Sequence, residues 1–297
     1  MLTIRANAKI NLTLDVLHKR TDGFHQVEMI MQAIELADIL KLEENQSGDI
    51  SITANVAHLP CDQRNLAYQA AMLIRETCHV RTGVHIFLEK NIPMSAGLAG
   101  GSTDAAGVLL GLNRLWNLGL SLPELSQLGA KLGSDVPFCL QGGTMLATGR
   151  GELLEKLPSM PPCYVVLAKP RFGVSTAWVY GKYRGNTVQS HPDTAGVISA
   201  LGQGDLLEVA GRLNNVLESV TMAEYSLIRK LKENMLQYGA IASLMSGSGP
   251  TVFGLVEDKV KAEYIADQLR RQNDAEIIIT KTVVENGGYD GKAIITD

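Results

Sequence analysis

The segment Pro93-Met94-Ser95-Ala96-Gly97-Leu98-Ala99-Gly100-Gly101-Ser102-Thr103-Asp104 follows a run typical of a β-strand, residues 84–90, and precedes a run with helical periodicity. It is therefore predicted to be a glycine-rich loop that leads into a helix N-terminus. Free backbone N–H groups and the positive end of the helix dipole meet there, and both favour an anion such as phosphate. The three glycines of the segment allow the backbone to close around the anion without Cβ clashes. The alternative is a flexible turn with a Ser or Thr helix cap.

The composition is that of a globular protein with a sizeable core. The chain has 297 residues, 45% of them hydrophobic, which suffices for one large domain or two ordinary ones. A net charge of −4 and an aromatic fraction of 5% do not indicate a surface for nucleic acid or anionic membrane. The four cysteines lack metal-binding spacing, and no apolar run approaches the ~20 residues that span a bilayer. Because the first strand pattern starts at the N-terminus, without a signal peptide, we expect a soluble, cytoplasmic protein.

The N-terminal residues 4–16 alternate between apolar and polar side chains, which predicts a half-buried β-strand. Lys9 and Asn11 then lie side by side on the polar face, roughly 7 Å apart. On this pattern alone, an ordinary solvated lysine is the favoured interpretation of Lys9.

An Asp22-Gly23 turn follows, and a second strand is predicted at residues 27–36. Phe24 and His25 stand at the mouth of this turn. An exposed ring that stacks, beside an imidazole that hydrogen-bonds, suits a base or another ring as ligand. The alternative is that Phe24 covers the core.

A carboxylate at Asp135 stands in an unusual place. The capping box that starts at Ser121 opens a helix, which Gly133 ends. Pro137 disfavours a helical conformation for the residue before it, so Asp135 is predicted in a tight link between the helix end and a strand. The helix dipole does not favour a carboxylate at that end, so Asp135 needs another role, such as binding a cation or accepting a proton.

The proline-rich segment 157–162 is the best candidate for a linker, and we predict domains at 1–158 and 163–284 and a polar tail at 285–297. In the second half, helices are predicted at about 205–219 and 222–238. A second glycine-rich turn, Ser246-Gly247-Ser248-Gly249, separates two strands. The order strand-helix-helix-strand-strand-helix-strand is typical of an α+β sandwich with helices on one face.

Several classes of protein that bind phosphate through a glycine-rich loop, or that carry another well-known catalytic motif, are excluded. The sequence has no G-x-x-x-x-G-K-[ST], and its loop is not the dinucleotide pattern G-x-G-x-x-G. It also lacks the H-R-D and D-F-G motifs of protein kinases, the G-x-S-x-G elbow and the H-E-x-x-H zinc motif.

The segments that remain are Lys9 with Asn11, the loop 93–103, Ser134-Asp135 and Ser246 to Pro250. Together they resemble the GHMP kinases, a family of small-molecule kinases. The resemblance implies a two-domain α+β GHMP kinase fold, with an N-terminal domain like domain 2 of ribosomal protein S5, a C-terminal ferredoxin-like domain and the active site in the cleft between them.

Further segments at 8–12, 19–25 and 133–138 are similar to those family members that phosphorylate a small cytidine diphosphate substrate, a CDP-linked methylerythritol. The resemblance implies transfer of the γ-phosphoryl group of ATP to its tertiary 2-hydroxyl, a step in the non-mevalonate route to isoprenoid precursors. Asp135 would be the base that accepts the hydroxyl proton. Lys9 would hold Asp135 ionised and offset charge on the moving phosphoryl group.

The resemblance also assigns binding residues, and its implied cofactors are ATP as phosphoryl donor and Mg²⁺. The ATP-binding residues are Pro93, Met94, Ser95, Ala96, Gly97, Leu98, Ala99, Gly100, Gly101, Ser102, Thr103, Asn65 and Lys90. The substrate-binding residues are Asn11, Phe24, His25, Thr176 and Tyr180. The third motif, Ser246, Gly247, Ser248 and Gly249, closes over the site. Ser102 is the first candidate ligand for Mg²⁺ and Asp104 the second, although Asp104 is also explained as a carboxylate that the helix dipole favours.

Two other functions stay open from the sequence. One is another GHMP kinase that acts on homoserine, mevalonate or a sugar, against which the Lys19-to-His25 motif argues. The other is a GHMP-fold sensor that binds ATP without transferring phosphate, against which the intact Lys9 and Asp135 argue. We expect a monomer or a weak homodimer with a small-molecule substrate.

Overall fold

The computed structural model describes residues 1–185, 188, 190–272, 274–284 and 294–295. The strands are β1 (Leu2–Lys19), β2 (His25–Asn45), β3 (Ile50–Ala54), β4 (Gly83–Glu89), β5 (Thr144–Thr148), β6 (Leu153–Lys156), β7 (Tyr164–Pro170), β8 (Asn214–Asn215), β9 (Ala242–Met245), β10 (Val252–Val256), β11 (Ala275–Lys281) and β12 (Ile294–Ile295). The helices are α1 (Leu66–Thr77), α2 (Gly100–Leu115), α3 (Leu122–Leu132), α4 (Val136–Gln141), α5 (Thr176–Lys182), α6 (Thr194–Gln203), α7 (Leu206–Gly211), α8 (Glu218–Glu224), α9 (Ser226–Gln237) and α10 (Lys259–Gln272).

The first sheet is built on the long antiparallel hairpin of β1 and β2. Its strand order is β12-β1-β2-β4-β3, with β5 added to β2, β6 added to β5 and β8 added to β1. The prediction of a half-buried first strand is wrong, because β1 is buried on both faces over residues 8–16. Ile4 and Ala6 belong to one core cluster, and Ile10 belongs to another that includes Phe253 of β10. The polar side chain of Asn11 is therefore buried as well.

Helix α2 packs very closely on this sheet, and two glycines make that approach possible. A Cβ atom on Gly111 would lie 2.2 Å from Leu42 Cδ1, and one on Gly107 would lie 3.0 Å from Leu40 Cδ2. A side chain at Gly111 would displace the buried Leu42, and one at Gly107 would crowd Leu40, so glycine at both positions permits the close packing of α2 on the hairpin. The N-terminus of α2, where the glycine-rich loop ends, is thereby positioned over β1.

The second sheet is antiparallel, with the order β11-β7-β10-β9, and α9 and α10 pack against it. This arrangement confirms the α+β class. The predicted helix at 205–219 is wrong: α7 ends at Gly211, and residues 214–215 leave the helical path to pair with β1 in parallel. The predicted helix at 222–238 is divided at Tyr225 between α8 and α9.

The proline-rich segment 157–162 has no helix or strand, yet it is packed into the protein. Leu157 and Met160 are buried, and the Met160 backbone N–H donates to Thr144 Oγ1 at 3.0 Å. Most of the predicted tail, at 285–293 and 296–297, lies outside the described residues, whereas the backbone of Ile294–Ile295 pairs with β1. Among the described residues, no helix combines the length and apolar character needed to cross a membrane.

Candidate active site

A cavity of about 990 Å³ opens between the glycine-rich loop, the β1–β2 hairpin and helix α5. Most of the residues singled out from the sequence line it. They are Lys9, Asn11, Phe24, His25, Asn65, Lys90, Pro93, Met94, Ser95, Ala96, Gly97, Ala99, Gly100, Gly101, Ser102, Asp104, Asp135, Thr176, Tyr180, Gly247 and Ser248. Segments more than 230 residues apart in sequence, from Lys9 to Ser248, therefore share one site.

Four of the singled-out residues do not line the cavity, and the structure gives each another position. The side chain of Leu98 is in the core, and Thr103 Oγ1 donates to the Asn7 carbonyl at 3.0 Å, which ties α2 to β1. Ser246 Oγ donates to the Gly97 carbonyl at 2.9 Å. Gly249 closes the second glycine-rich turn through its N–H, which donates to the Ser246 carbonyl.

Lys9 and Asp135 lie on one wall of the cavity. Lys9 Nζ is 3.8 Å from Asp135 Oδ2 and donates to Asn11 Oδ1 at 2.6 Å. The Lys9 side chain is 5% exposed, whereas that of Asp135 is 30% exposed. The ammonium group is therefore almost buried beside the carboxylate, which is the more exposed of the two in the cavity.

The link around Asp135 differs from the prediction. Asp135 is the N-cap residue of the short helix α4, not the last residue before a strand. Pro137 lies in the first turn of α4, where a missing N–H removes no intrahelical hydrogen bond. The Asp135 side chain makes no cap hydrogen bond. Its carboxylate is thus close to a helix N-terminus, which favours negative charge, and its oxygens stay available to a ligand.

The glycine-rich loop is held in a conformation with several left-handed residues. Gly97 has a φ of 75°, and Ser95 and Ala99 have φ values of 51° and 61°. Ala99 is the N-cap of α2 and supplies no side-chain hydrogen bond, so the predicted alternative of a Ser or Thr cap is not what forms. The first-turn N–H groups, which have no partner inside the helix, belong to residues that line the cavity. This is the arrangement that binds phosphate oxygens.

A buried charge cluster supports both ends of the loop. Lys90 donates to the carboxylates of Asp38 and Asp104, and all three side chains are at most 4% exposed. Asp38 Oδ1 also accepts the N–H groups of Asn91 at 2.6 Å and Ile92 at 2.8 Å. Burial, and then the neighbouring Asp38, raise the pKa of Asp104, against the opposing effect of Lys90. The cluster connects β2, the start of the loop and the second turn of α2.

Neither candidate metal ligand is part of a ready-made metal site. Within the described residues, no group of three His, Cys, Asp or Glu side chains could hold a metal ion. Asp104 Oδ1 is buried without a hydrogen-bond partner, but its other oxygen binds the Lys90 ammonium. Ser102 lies at the cavity surface in the first turn of α2. Asn65, which was expected on the ATP side, lines the cavity and also caps α1 through Oδ1.

Aromatic residues line one end of the cavity. Phe24 is 52% exposed, and His25 and Tyr180 contact each other with ring centroids 5.2 Å apart. Burial, assisted by the charge of Lys19, lowers the pKa of His25 below its ordinary value. Burial, with a contribution from the Asp135 carboxylate, raises the pKa of Tyr180. A neutral imidazole and a neutral phenol therefore face this end.

Sequence reasoning missed a cation at this end, Arg150. It lines the cavity, and its guanidinium Cζ lies 4.9 Å from the Phe24 ring centroid. The segment Gly149-Arg150-Gly151 carried only a loop signal, so nothing in the local sequence indicated this contact. Arg64, beside Asn65, also lines the cavity and was missed. In the structure its guanidinium forms a bidentate pair with the nearby Asp62, and no motif in the sequence indicated a position in the site.

The fold and the site define a small-molecule kinase. The family model described as “GHMP kinases N terminal domain” matches residues 65–143, and the model described as “GHMP kinases C terminal” matches residues 197–275. The chain belongs to the GHMP kinase family, and the resemblance found in the sequence is confirmed.

Three similar proteins of known name belong to one kind of kinase within this family. The 4-diphosphocytidyl-2-C-methyl-D-erythritol kinase of Geobacillus sp. (strain WCH70) is 51% identical over 269 residues, which cover 91% of this chain and 93% of that protein. The enzyme of the same name from Enterococcus faecalis (strain ATCC 700802 / V583) is 50% identical over 266 residues, 90% of this chain and 94% of that protein. A crystal structure of 4-(cytidine 5'-diphospho)-2C-methyl-D-erythritol kinase has a TM-score of 0.80 at 34% identity, covering 95% of this chain and 99% of that one.

A structure of homoserine kinase from Cytophaga hutchinsonii ATCC 33406 has a TM-score of 0.75 but only 20% identity, and it covers 97% of this chain and 96% of that one. That likeness shows a shared fold. The predicted two-domain GHMP kinase fold is thereby confirmed.

Proposed function

We propose that the protein transfers the γ-phosphoryl group of ATP to the 2-hydroxyl of 4-(cytidine 5'-diphospho)-2-C-methyl-D-erythritol. The observation that carries this proposal is the position of Asp135 and Lys9 in the same cavity as the glycine-rich loop and the aromatic end at Phe24. These parts can supply what the transfer needs: a loop that holds the donor phosphates, a group that accepts the hydroxyl proton, and a pocket for the flat cytosine ring.

Asp135 accepts the proton of the attacking hydroxyl. Its carboxylate is exposed to the cavity, and the 3.8 Å separation from Lys9 Nζ leaves its oxygens available to a substrate O–H. As the oxygen–phosphorus bond forms and the bond to ADP breaks, negative charge develops on the leaving ADP oxygen, while the transferred phosphoryl group carries its charge on three oxygens close to Lys9. The Lys9 ammonium is oriented by Asn11 and stabilises that charge without reorganisation.

The glycine-rich loop holds the ATP phosphates through backbone N–H groups of residues 100–102 and the dipole of α2. Mg²⁺ fits this site as an ion held mainly by the phosphates, because it keeps several waters and needs only one or two protein oxygens. The Ser102 hydroxyl is the better ligand, since Lys90 already binds Asp104. Bound there, Mg²⁺ would offset the charge of the transferred phosphoryl group. Asn65, Lys90 and Arg64 border the side where the adenosine would lie.

The cytosine ring is held at the aromatic end. Phe24 and Tyr180 provide ring faces, while the neutral His25 is suited to hydrogen bonds with the base edge. Asn11 and Thr176 supply polar contacts, and the turn at 246–249 closes the site from the C-terminal half. We further propose that the enzyme is cytoplasmic, works as a monomer or weak homodimer and binds no nucleic acid, in keeping with its charge of −4.

A coupled assay for ADP release tests the proposal. We expect turnover with the CDP-linked methylerythritol and none above background with homoserine, mevalonate or galactose. Turnover with one of the other alcohols alone would assign the chain to a different kinase of the family. ATP binding without turnover on any acceptor would favour the non-catalytic sensor.

A further inference from the structure

Two side chains, one from β8 and one from the first residue of α8, hold the strand that enters the second glycine-rich turn. Asn215 Nδ2 donates to the carbonyl of Met245 and to that of Gly247, both at 2.8 Å. Glu218 Oε1 accepts the backbone N–H of Met245 at 2.9 Å. Both backbone groups of Met245 are thus bound by one four-residue segment.

These contacts occur at a sheet edge. β9 is the edge strand of the second sheet, and Met245, its last residue, pairs with Val252 of β10. The next residue, Ser246, donates its N–H to the Thr251 carbonyl, so the ladder alternation directs the N–H and C=O of Met245 away from β10. Unpaired groups on an edge strand need other partners, and here the partners are Asn215 and Glu218.

Both the amide nitrogen and the amide oxygen of the Asn215 side chain form hydrogen bonds, and the residue is only 2% exposed. Besides its two donated hydrogen bonds, its Oδ1 accepts the Leu217 N–H at 3.0 Å. Its backbone belongs to β8, which pairs with Thr13 and Leu14 of β1, two residues beyond Asn11. The side chain of Asn215 therefore connects the strand that carries Lys9 and Asn11 to the turn at 246–249.

The turn at 246–249 also contacts the glycine-rich loop at 93–103, which is the proposed phosphate loop. Ser246 Oγ donates to the Gly97 carbonyl, and a Cβ atom on Gly97 would lie 2.3 Å from the Ser246 carbonyl oxygen. A shift of Met245 would therefore be transmitted through Ser246 to the glycine-rich loop. Thr221 Oγ1, which donates to the Ser248 carbonyl at the long distance of 3.3 Å, cannot replace the two shorter contacts.

We propose that Asn215 and Glu218 are positioning residues that set the distance between the turn at 246–249 and the phosphate loop, and through it the affinity for ATP. The proposal rests on the proposed kinase function only in that the loop binds ATP. Neither residue lines the cavity, so both act through Met245 and Gly247.

A series at Glu218 separates this role from a general contribution to stability. Glu218→Ala removes the acceptor of the Met245 N–H, whereas Glu218→Gln keeps an oxygen there. Lys232→Met is the matched control, because Lys232 Nζ binds the other oxygen of Glu218 at 2.6 Å and leaves the contact to Met245 intact. Glu218 remains partly solvated in that control, with its side chain 16% exposed.

The affinity for a non-hydrolysable ATP analogue, measured by calorimetry, is the first readout. Glu218→Ala should raise the dissociation constant about tenfold, the cost of one lost hydrogen bond to a charged group. Glu218→Gln and Lys232→Met should stay within about threefold of wild type. Hydrogen exchange of the peptide that contains Met245 should accelerate in Glu218→Ala only. Asn215→Asp, which cannot donate to the two carbonyls, should reproduce the loss of affinity if it folds.

Wild-type affinity in Glu218→Ala would overturn the proposal, and so would an equal loss in Glu218→Gln and Lys232→Met. In steady-state assays, the KM for ATP should rise in Glu218→Ala while the KM for the cytidine substrate changes little. Failure of the proposed function gives a different result, because wild type itself would then show no ADP release while the pattern of analogue affinities remained.

Discussion

Lys9 Nζ lies 3.8 Å from Asp135 Oδ2, and the two side chains differ sixfold in exposure, 5% against 30%. The distance allows electrostatic attraction but is too long for a direct hydrogen bond. The ammonium is held instead by Asn11 at 2.6 Å. Asp135 therefore feels the positive charge while its oxygens remain available to a substrate hydroxyl, which is the arrangement that a proton acceptor in phosphoryl transfer requires.

Asp135→Asn should lower kcat at least ~100-fold, because an amide cannot take the proton of the attacking hydroxyl. The dissociation constant of an ATP analogue should remain close to wild type, since the phosphate loop is unchanged. Asp274→Asn is the control: its exposed carboxylate pairs with Arg171 and does not line the cavity. Wild-type turnover in Asp135→Asn would remove the assignment of the base.

Phe24→Ala should raise the KM for the cytidine substrate about tenfold, because stacking of a base on an aromatic ring contributes ~1–3 kcal/mol. Phe24→Tyr keeps the ring and should stay near wild type. The KM for ATP should be unaffected in both variants, since Phe24 belongs to the turn between β1 and β2 and not to the glycine-rich loop. Equal losses for both substrates would contradict the pocket assignment.

Local patterns predicted the elements that form from short-range chemistry. The capping box of α3 at Ser121 and the strand before the glycine-rich loop are both present. The segments that failed are those in which tertiary contacts outweigh local propensity. Residues 214–215 continue a helical pattern but pair with β1, since that pairing satisfies an otherwise open strand edge.

The site was predicted best where a motif carries the residue. Lys9, Asp135 and the loop 93–102 fell into one cavity because their spacing is that of a known family. Arg150 and the Asn215–Glu218 pair have no such motif, since each acquires its role through contacts with residues distant in sequence. Arg64 belongs to no motif either, and its ion pair with Asp62 is a local contact. The burial of Lys9 and Asn11 was missed for the same reason: a single strand does not reveal that both its faces are covered.

The pH dependence of substrate binding should follow His25. Since its pKa is lowered, the imidazole is neutral above the ordinary histidine value of about 6.5. The KM for the cytidine substrate should therefore be flat from pH 8 to about 6.5 and rise only at lower pH. Lys19→Gln removes the nearby cation, which raises the pKa of His25 and should move this rise to higher pH. An NMR titration of His25 in both proteins measures the shift directly, and a shift to lower pH would contradict the assignment.

The buried cluster of Lys90, Asp38 and Asp104 predicts an asymmetric effect on stability. Lys90→Met leaves two buried carboxylates without a counter-ion and should lower the free energy of unfolding by ~3–5 kcal/mol. Asp104→Asn should cost clearly less, because one ammonium remains paired with one carboxylate and Asp38 still binds the N–H groups of Asn91 and Ile92. Urea denaturation of the two variants at pH 7 measures both costs. A larger loss of stability in Asp104→Asn than in Lys90→Met would contradict this prediction, because it would mean that the Asp104 carboxylate stabilises the cluster more than the Lys90 ammonium does.

Gly97→Ala should disrupt the contact between the two glycine-rich segments. The new Cβ atom would lie 2.3 Å from the Ser246 carbonyl oxygen, and a positive φ of 75° adds strain. Gly119→Ala is a matched control, since Gly119 has a φ of 69° and no atom within 4 Å of an added Cβ. Both variants bear the left-handed cost of about 1–2 kcal/mol, which a thermal shift measures. Only Gly97→Ala should also raise the dissociation constant of an ATP analogue, by about tenfold or more, because the turn must move off the phosphate loop. Equal ATP affinity in the two variants would mean that the loop binds phosphate without support from the turn.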